Sequence, residues 1–122
     1  MLFRSLHALR IARELKQLER VIVGTDSPAG SGVQPLGILR MIALLSSLGD
    51  TPAEQAFCFA TGNTAKLRDL DTGLIQVGKS ADFVFMDKAQ HSAGSNILDS
   101  VRKGDLPGIG MVVIDEIGRA HV

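Results

Sequence analysis

Tryptophan and tyrosine are both absent from these 122 residues, and five phenylalanines make up the whole aromatic complement. A chain so poor in rings offers no stacking platform for bases. With 13 basic against 13 acidic side chains it also has no surplus of positive charge to meet phosphates. No nucleic-acid partner is expected. Cysteine occurs once, at Cys58, so no intramolecular disulfide can form and a reducing cytoplasm is the simplest compartment. Its AFCFA setting reads as core rather than as a reactive thiol, which would want cationic neighbours and a histidine. No apolar run reaches membrane-spanning length. The opening MLFRSLHALRIARELKQLER lacks the unbroken apolar stretch and cleavage site of a signal peptide, and Glu14 and Glu19 argue against a transit peptide. No membrane partner is expected.

What is present suits an α/β domain: 45% hydrophobic residues and 13 glycines. Ala8, Ile11, Ala12, Leu15 and Leu18 recur at helical spacing, with Arg10, Arg13, Glu14 and Gln17 turned away, which predicts an amphipathic helix of about five turns. The β-branched run at residues 21–23, ended by Gly24, reads as a strand buried on both faces of a parallel sheet. Residues 33–48 are apolar nearly all round, with Arg40 as the one charge, and predict a helix covered on more than one side. Thr51, Pro52, Ala53 and Glu54 form a capping-box pattern opening a third helix to about residue 61, where Gly62 stops it and Asn63 can cap a further turn. Beyond residue 70, short strands are expected over residues 72–77, 81–87 and 110–115, with a helical turn or two at 96–103. One parallel strand cannot make a sheet, so these elements imply a piece of a larger α/β protein.

The stretch VIVGTDSPAGSGVQP places Asp26 just past the strand, where parallel α/β folds carry their functional groups. A carboxylate there can bind a metal ion or take a proton from water, and the small residues behind it let backbone approach a ligand. An aspartate after a strand is also commonly an Asx-turn or helix cap, and local pattern alone favours that reading. A phosphate loop is disfavoured: the third glycine of a dinucleotide fingerprint and the Gly-Lys-Ser/Thr ending of a P-loop are both missing, and Pro35 removes an amide donor.

Taken in order, VIVGTD, the ATGNTA around Asn63, Thr72-Gly73, the GKSAD ending at Asp82 and the strand after it resemble the C-terminal part of the amidohydrolase superfamily, over about nine-tenths of the chain. Within it the stretch from Gly24 to Arg40 and GDLPG at 104–108 are most similar to the enamidase family. That family opens a cyclic enamide, 6-oxo-1,4,5,6-tetrahydronicotinate, in nicotinate degradation. The resemblance implies a (β/α)₈ barrel with a small β-sandwich. Residues 1–70 would supply the last barrel strand and helices, and residues 71–115 the C-terminal strands of the sandwich.

The same resemblance makes Asp26 the metal ligand and catalytic base that deprotonates the attacking water and passes the proton to the departing nitrogen. Ser27, Gly30 and Ser31 would line the substrate side, while Thr25 and Arg40 would be structural. The resemblance implies divalent metal, zinc or iron, in a full-length, homo-oligomeric enzyme acting on a small cyclic amide. The family's His-x-His pair, bridging lysine and further histidines would all lie upstream. His7, His91 and His121 show no metal spacing, so the fragment alone is expected to hold no metal and to be inactive. The alternatives are another cyclic amidohydrolase, with an imide or imidazolone substrate, and an inactive truncated product. Residues 116–122, EIGRAHV, depart from the family's D-G-x-x-V ending and read as the translation of a sequencing adapter (gag atc gga aga gca cac gtc).

Overall fold

The computed structural model describes residues 2–27, 32–115 and 117–120, with backbone only at 2–3 and 117–120. Five helices, α1 (Leu2–Glu14), α2 (Gly37–Ser47), α3 (Ala53–Ala60), α4 (Gly62–Arg68) and α5 (Ile97–Arg102), accompany three strands, β1 (Phe83–Asp87), β2 (Gly108–Ile114) and β3 (Ile117–Ala120). A 3₁₀ turn, Leu18–Arg20, follows α1. The strands form one antiparallel sheet in the order β1-β2-β3, with a bulge between Phe85 and Met86.

Two apolar clusters hold the helices together. Ile42 and Ala43 of α2 meet Ala53 and Ala56 of α3 and Val101 of α5 in the first. In the second, Leu9, Leu45 and Phe59 join α1, α2 and α3, with Val21 and Val23 packed against them. Polar groups lock the corner between the clusters. Arg13 donates to the Gly49 carbonyl at 2.6 Å and to Thr51 Oγ1 at 2.7 Å. From the other side Arg102 donates to the carbonyls of Ser46 (2.6 Å) and Thr51 (2.8 Å) and pairs with Asp50 at 2.6 Å. Ser46 and Thr51 are fully buried, so these bonds satisfy carbonyls that water cannot reach.

This corner explains two departures from the sequence-based expectations. The buried face of α1 carries Leu9, with Leu6 packed beside it and Arg13 half-buried, whereas Ala8, Ile11 and Leu15 are exposed. Periodicity identified a helix and part of its stripe, with Ala12 half-buried and Leu18 packed on the second cluster, but Ala8, Ile11 and Leu15 face out because Arg13 turns inward to the α2–α3 corner. The helix is also shorter than five turns, ending where Lys16 takes a positive φ of 56°. The capping box does not form either. Thr51 spends its hydroxyl on the Gly49 carbonyl and on Arg13, Pro52 stands at the cap position, and no side chain caps α3.

Other expectations are corrected by the lack of strand partners. Residues 21–23 are extended but belong to no sheet, so the described residues contain no parallel sheet. Residues 72–77 form bends and irregular chain rather than a strand, with Ile75 at 88% and Val77 at 101% exposure. A strand exists only where a neighbour accepts its backbone hydrogen bonds, and neither run has one among the described residues. Cys58, expected in the core, is exposed: Ala56 and Phe59 take the buried face of α3, and the thiol donates to the Glu54 carbonyl at 3.3 Å. The expected helices over 33–48 and 96–103 occur as α2 and α5, and the strands over 81–87 and 110–115 as β1 and β2. β3, which no sequence feature indicated, pairs with β2 from Met111↔Ala120 to Ile114↔Ile117.

The GKSAD segment works as a clasp for this sheet. Asp82 accepts the Asp115 amide at one carboxylate oxygen and the Thr72 hydroxyl at the other, each at 3.0 Å. Ser80 donates its hydroxyl to Asp115 (3.0 Å) and its amide to the Asp71 carbonyl (2.8 Å).

Arg102→Met keeps most of the apolar stem but deprives the Ser46 and Thr51 carbonyls of a charged donor, and is expected to cost about 1.5–3 kcal/mol in urea unfolding. A second expectation concerns α5, which opens on Asn96 accepting the Asp99 amide at 2.9 Å. The Ser95 amide, and then Lys103, hold the Asp99 carboxyl below its usual value. A depressed carboxylate contributes stability above its unfolded pKa and loses it as pH falls through the folded one. Asp99→Asn should therefore destabilise the protein at neutral pH and be neutral at strongly acidic pH, as thermal melts across that range will show.

Candidate functional site

The segment 21–26 reaches its position without a sheet. Its entry is held by Asn63 of α4, whose Nδ2 donates to the carbonyls of Leu18 (3.0 Å) and Val21 (2.9 Å). Further along, the Val23 amide donates to the Phe59 carbonyl at 3.3 Å, and that oxygen also accepts the Thr64 hydroxyl at 3.0 Å. Asn63 was expected to cap a helical turn. It does no capping, because its amide group serves two carbonyls that have no strand beside them.

At the far end, Asp26 sits in the left-handed region with φ of 53°, a conformation that aspartate tolerates better than most residues. The Ser27 amide donates to Thr25 Oγ1 at 3.2 Å, closing a small turn around Asp26. The Asp26 carboxylate is exposed, and among the described residues no side chain hydrogen-bonds to it. Ser27 is half-buried, and its hydroxyl donates to the Gly32 carbonyl (3.0 Å) and accepts the Gln34 amide (3.4 Å), so it ties the loop rather than pointing free. Gly30 and Ser31 lie outside the described residues. Arg40, on α2, returns its guanidinium to the Pro35 carbonyl at 3.3 Å, which agrees with a structural role.

The histidines stay apart from Asp26. His7 on α1 is exposed and pairs with Arg10 at 3.2 Å, and His91 is exposed in the loop before α5. His121 lies outside the described residues. Among the described residues no three histidines, cysteines or acids stand close enough to hold a metal ion. One exposed carboxylate does not match the three or four ligands such an ion requires, so the described residues by themselves do not fit a metal. Among the described residues no helix is long and apolar enough to cross a membrane.

A cavity of about 480 Å³ opens elsewhere, between α2, α3 and β1, lined by Ile38, Leu39, Ile42, Phe57, Leu74, Phe83 and Met86 among others. Its one carboxylate, Asp82, is already engaged by the clasp. That surface is fitted to bury hydrocarbon, and Asp26 is not among the residues that line it.

The sequence matches the amidohydrolase family over residues 6–115, and the chain belongs to that family. It is 43% identical over 109 residues to an enamidase from Eubacterium barkeri, an alignment covering 89% of this chain and 28% of that protein. It also superposes on a crystal structure of enamidase, described there as a new member of the amidohydrolase superfamily, with a TM-score of 0.93 and 40% identity. That superposition covers 96% of this chain and 30% of the other. The chain thus spans less than a third of the relatives it matches. The resemblance read from VIVGTD, ATGNTA and GKSAD is borne out at the level of the family and of enamidase.

Two residues carry the local geometry. Asn63, expected to cap a helical turn, instead holds the Leu18 and Val21 carbonyls. Thr25, expected to be structural, takes part in the turn as its hydroxyl accepts the Ser27 amide. Asn63→Ala leaves the Leu18 and Val21 carbonyls short of a donor. It should cost about 1–2 kcal/mol and speed hydrogen exchange at the Val23 amide, measurable by NMR or mass spectrometry.

Proposed function

We propose that this chain is the C-terminal portion of a longer metal-dependent amidohydrolase that opens a cyclic amide by hydrolysing its ring C–N bond, as enamidase does. The 43% identity to enamidase across 89% of the chain carries this reading. In it, residues 1–70 end a (β/α)₈ barrel, with 21–26 as its last strand, and residues 71–115 form part of a β-sandwich. Exposed apolar runs support that arrangement: Val33, Ile75 and Val77 are more than four-fifths exposed, and Ala8, Ile11 and Leu15 leave a second face of α1 open. Such surface is what a helix or strand shows when the elements that cover it lie elsewhere in a larger protein.

Asp26 is the group this portion brings to the reaction. Zinc or another divalent ion, held mainly by residues upstream of this portion, would supply Lewis-acid chemistry. Asp26 accepts a proton from the water that attacks the ring carbonyl and delivers it to the nitrogen as the C–N bond breaks, leaving a carboxylate and a freed amine. Ser27, Gly30 and Ser31 border the substrate in this reading. The whole protein acts on a small molecule, in the cytoplasm, as a homo-oligomer. Residues 116–122 are read as foreign to the family from their departure from D-G-x-x-V, while the backbone of 117–120 pairs with β2 as a return strand would.

The test is turnover of 6-oxo-1,4,5,6-tetrahydronicotinate by the full-length enzyme that carries these residues. Asp26→Asn should lower kcat by about 10²-fold or more, because a group that moves the proton in the transition state is lost. Unchanged turnover in that variant removes Asp26 from the mechanism, and failure of the unaltered enzyme on this substrate favours an imide or imidazolone. Residues 1–122 alone should show no turnover.

A further inference from the structure

Asp26 is exposed and its carboxylate has no partner among the described side chains, so its direction must come from the backbone that carries it. Two contacts control that backbone, and both belong to Thr25. Its hydroxyl oxygen accepts the Ser27 amide at 3.2 Å, spanning Asp26 and closing the turn in which Asp26 holds φ of 53°. Its methyl sits against Gly37, the buried first residue of α2. A Cβ on residue 37 would fall 2.7 Å from Thr25 Cγ2, closer than side-chain carbons approach one another, whereas its next neighbours, Thr25 Cβ and Gln34 Cβ, would stand at 3.4 and 3.9 Å. Glycine at 37 is therefore required by the Thr25 methyl and by little else.

We propose that Thr25 and Gly37 form a positioning pair for Asp26: the hydroxyl sets the turn, and the methyl, seated on Gly37, fixes that turn against α2. This rests on the role of Asp26 proposed above. Thr25 touches no reacting atom and acts only through Asp26. A rotation of the turn would carry the carboxylate away from the water it serves, and a misplacement near 1 Å is enough to cost about 100-fold in rate.

The pair can be separated by substitution in the full-length enzyme, with kcat, KM and melting temperature read together. Thr25→Val keeps a methyl and removes the acceptor, and should lower kcat about 10- to 100-fold with KM within about threefold. Thr25→Ser keeps the acceptor and should stay within about threefold of the unaltered kcat. Gly37→Ala should impair kcat as Thr25→Val does, because its new methyl collides with Thr25. Adding Thr25→Ser to Gly37→Ala removes the colliding carbon and should restore both kcat and melting temperature to the Thr25→Ser level. A crystal structure of Thr25→Val should show residue 26 turned out of the left-handed region.

A Gly37→Ala, Thr25→Ser double variant as impaired as Gly37→Ala overturns the proposal. So does Thr25→Val at the unaltered kcat, or equal losses in Thr25→Val and Thr25→Ser. If Thr25→Val does not fold, the Gly37→Ala comparison with its double variant decides alone. Asp26→Asn distinguishes the two levels: full turnover there refutes the role of Asp26, whereas a dead Asp26→Asn beside an unimpaired Thr25→Val refutes only the positioning pair.

Discussion

Residues 21–26 carry Asp26, the group to which the proposed chemistry is assigned, yet no strand lies beside them among the described residues. Backbone amides and carbonyls near a core must find partners, and here helices provide them: Asn63 for the Leu18 and Val21 carbonyls, the Phe59 carbonyl for the Val23 amide. This constraint propagates outward. Phe59 can present its carbonyl because its ring is wholly buried against Leu9 and Leu45, and that cluster stands beside the corner that Arg13 and Arg102 lock. The segment is held by packing two layers deep, in place of a sheet.

That arrangement separates roles the sequence presents as alike. Several acids look equally able to serve chemistry, but most are committed. Asp50 pairs with Arg102, Asp82 clasps Thr72 and Asp115, the Asp99 carboxylate accepts the Ser95 amide at 2.8 Å, and Asp105 accepts the Ser92 hydroxyl at 2.6 Å. Asp26 has no such engagement among the described residues and sits at the end of a braced segment. The GKSAD motif joins the turn at 71–72 to the end of β2 through Ser80 and Asp82.

The amphipathic helices, the β-branched strands of the sheet and the order of the family motifs could all be read from the chain, since each depends on neighbours a few residues apart. Faces and caps could not. Arg13 had the pattern of a solvent-facing residue and is drawn inward by the Gly49 carbonyl and the Thr51 hydroxyl, 36 and 38 residues away. Thr51 matched a capping box and gave its hydroxyl to that same arginine. Cys58 lay between two phenylalanines and still came out exposed, because only one face of α3 meets α2.

By itself the sequence determined the family, because motif order is a property of the chain as written. Only the tertiary structure decided which runs became strands, which arginines turned inward, and that Asn63, Thr25 and Gly37 hold the carboxylate's backbone. The reason is distance along the chain: a ladder hydrogen bond, a buried guanidinium or a methyl seated on a glycine needs a partner from another element, and spacing along one segment carries no information about what will arrive beside it.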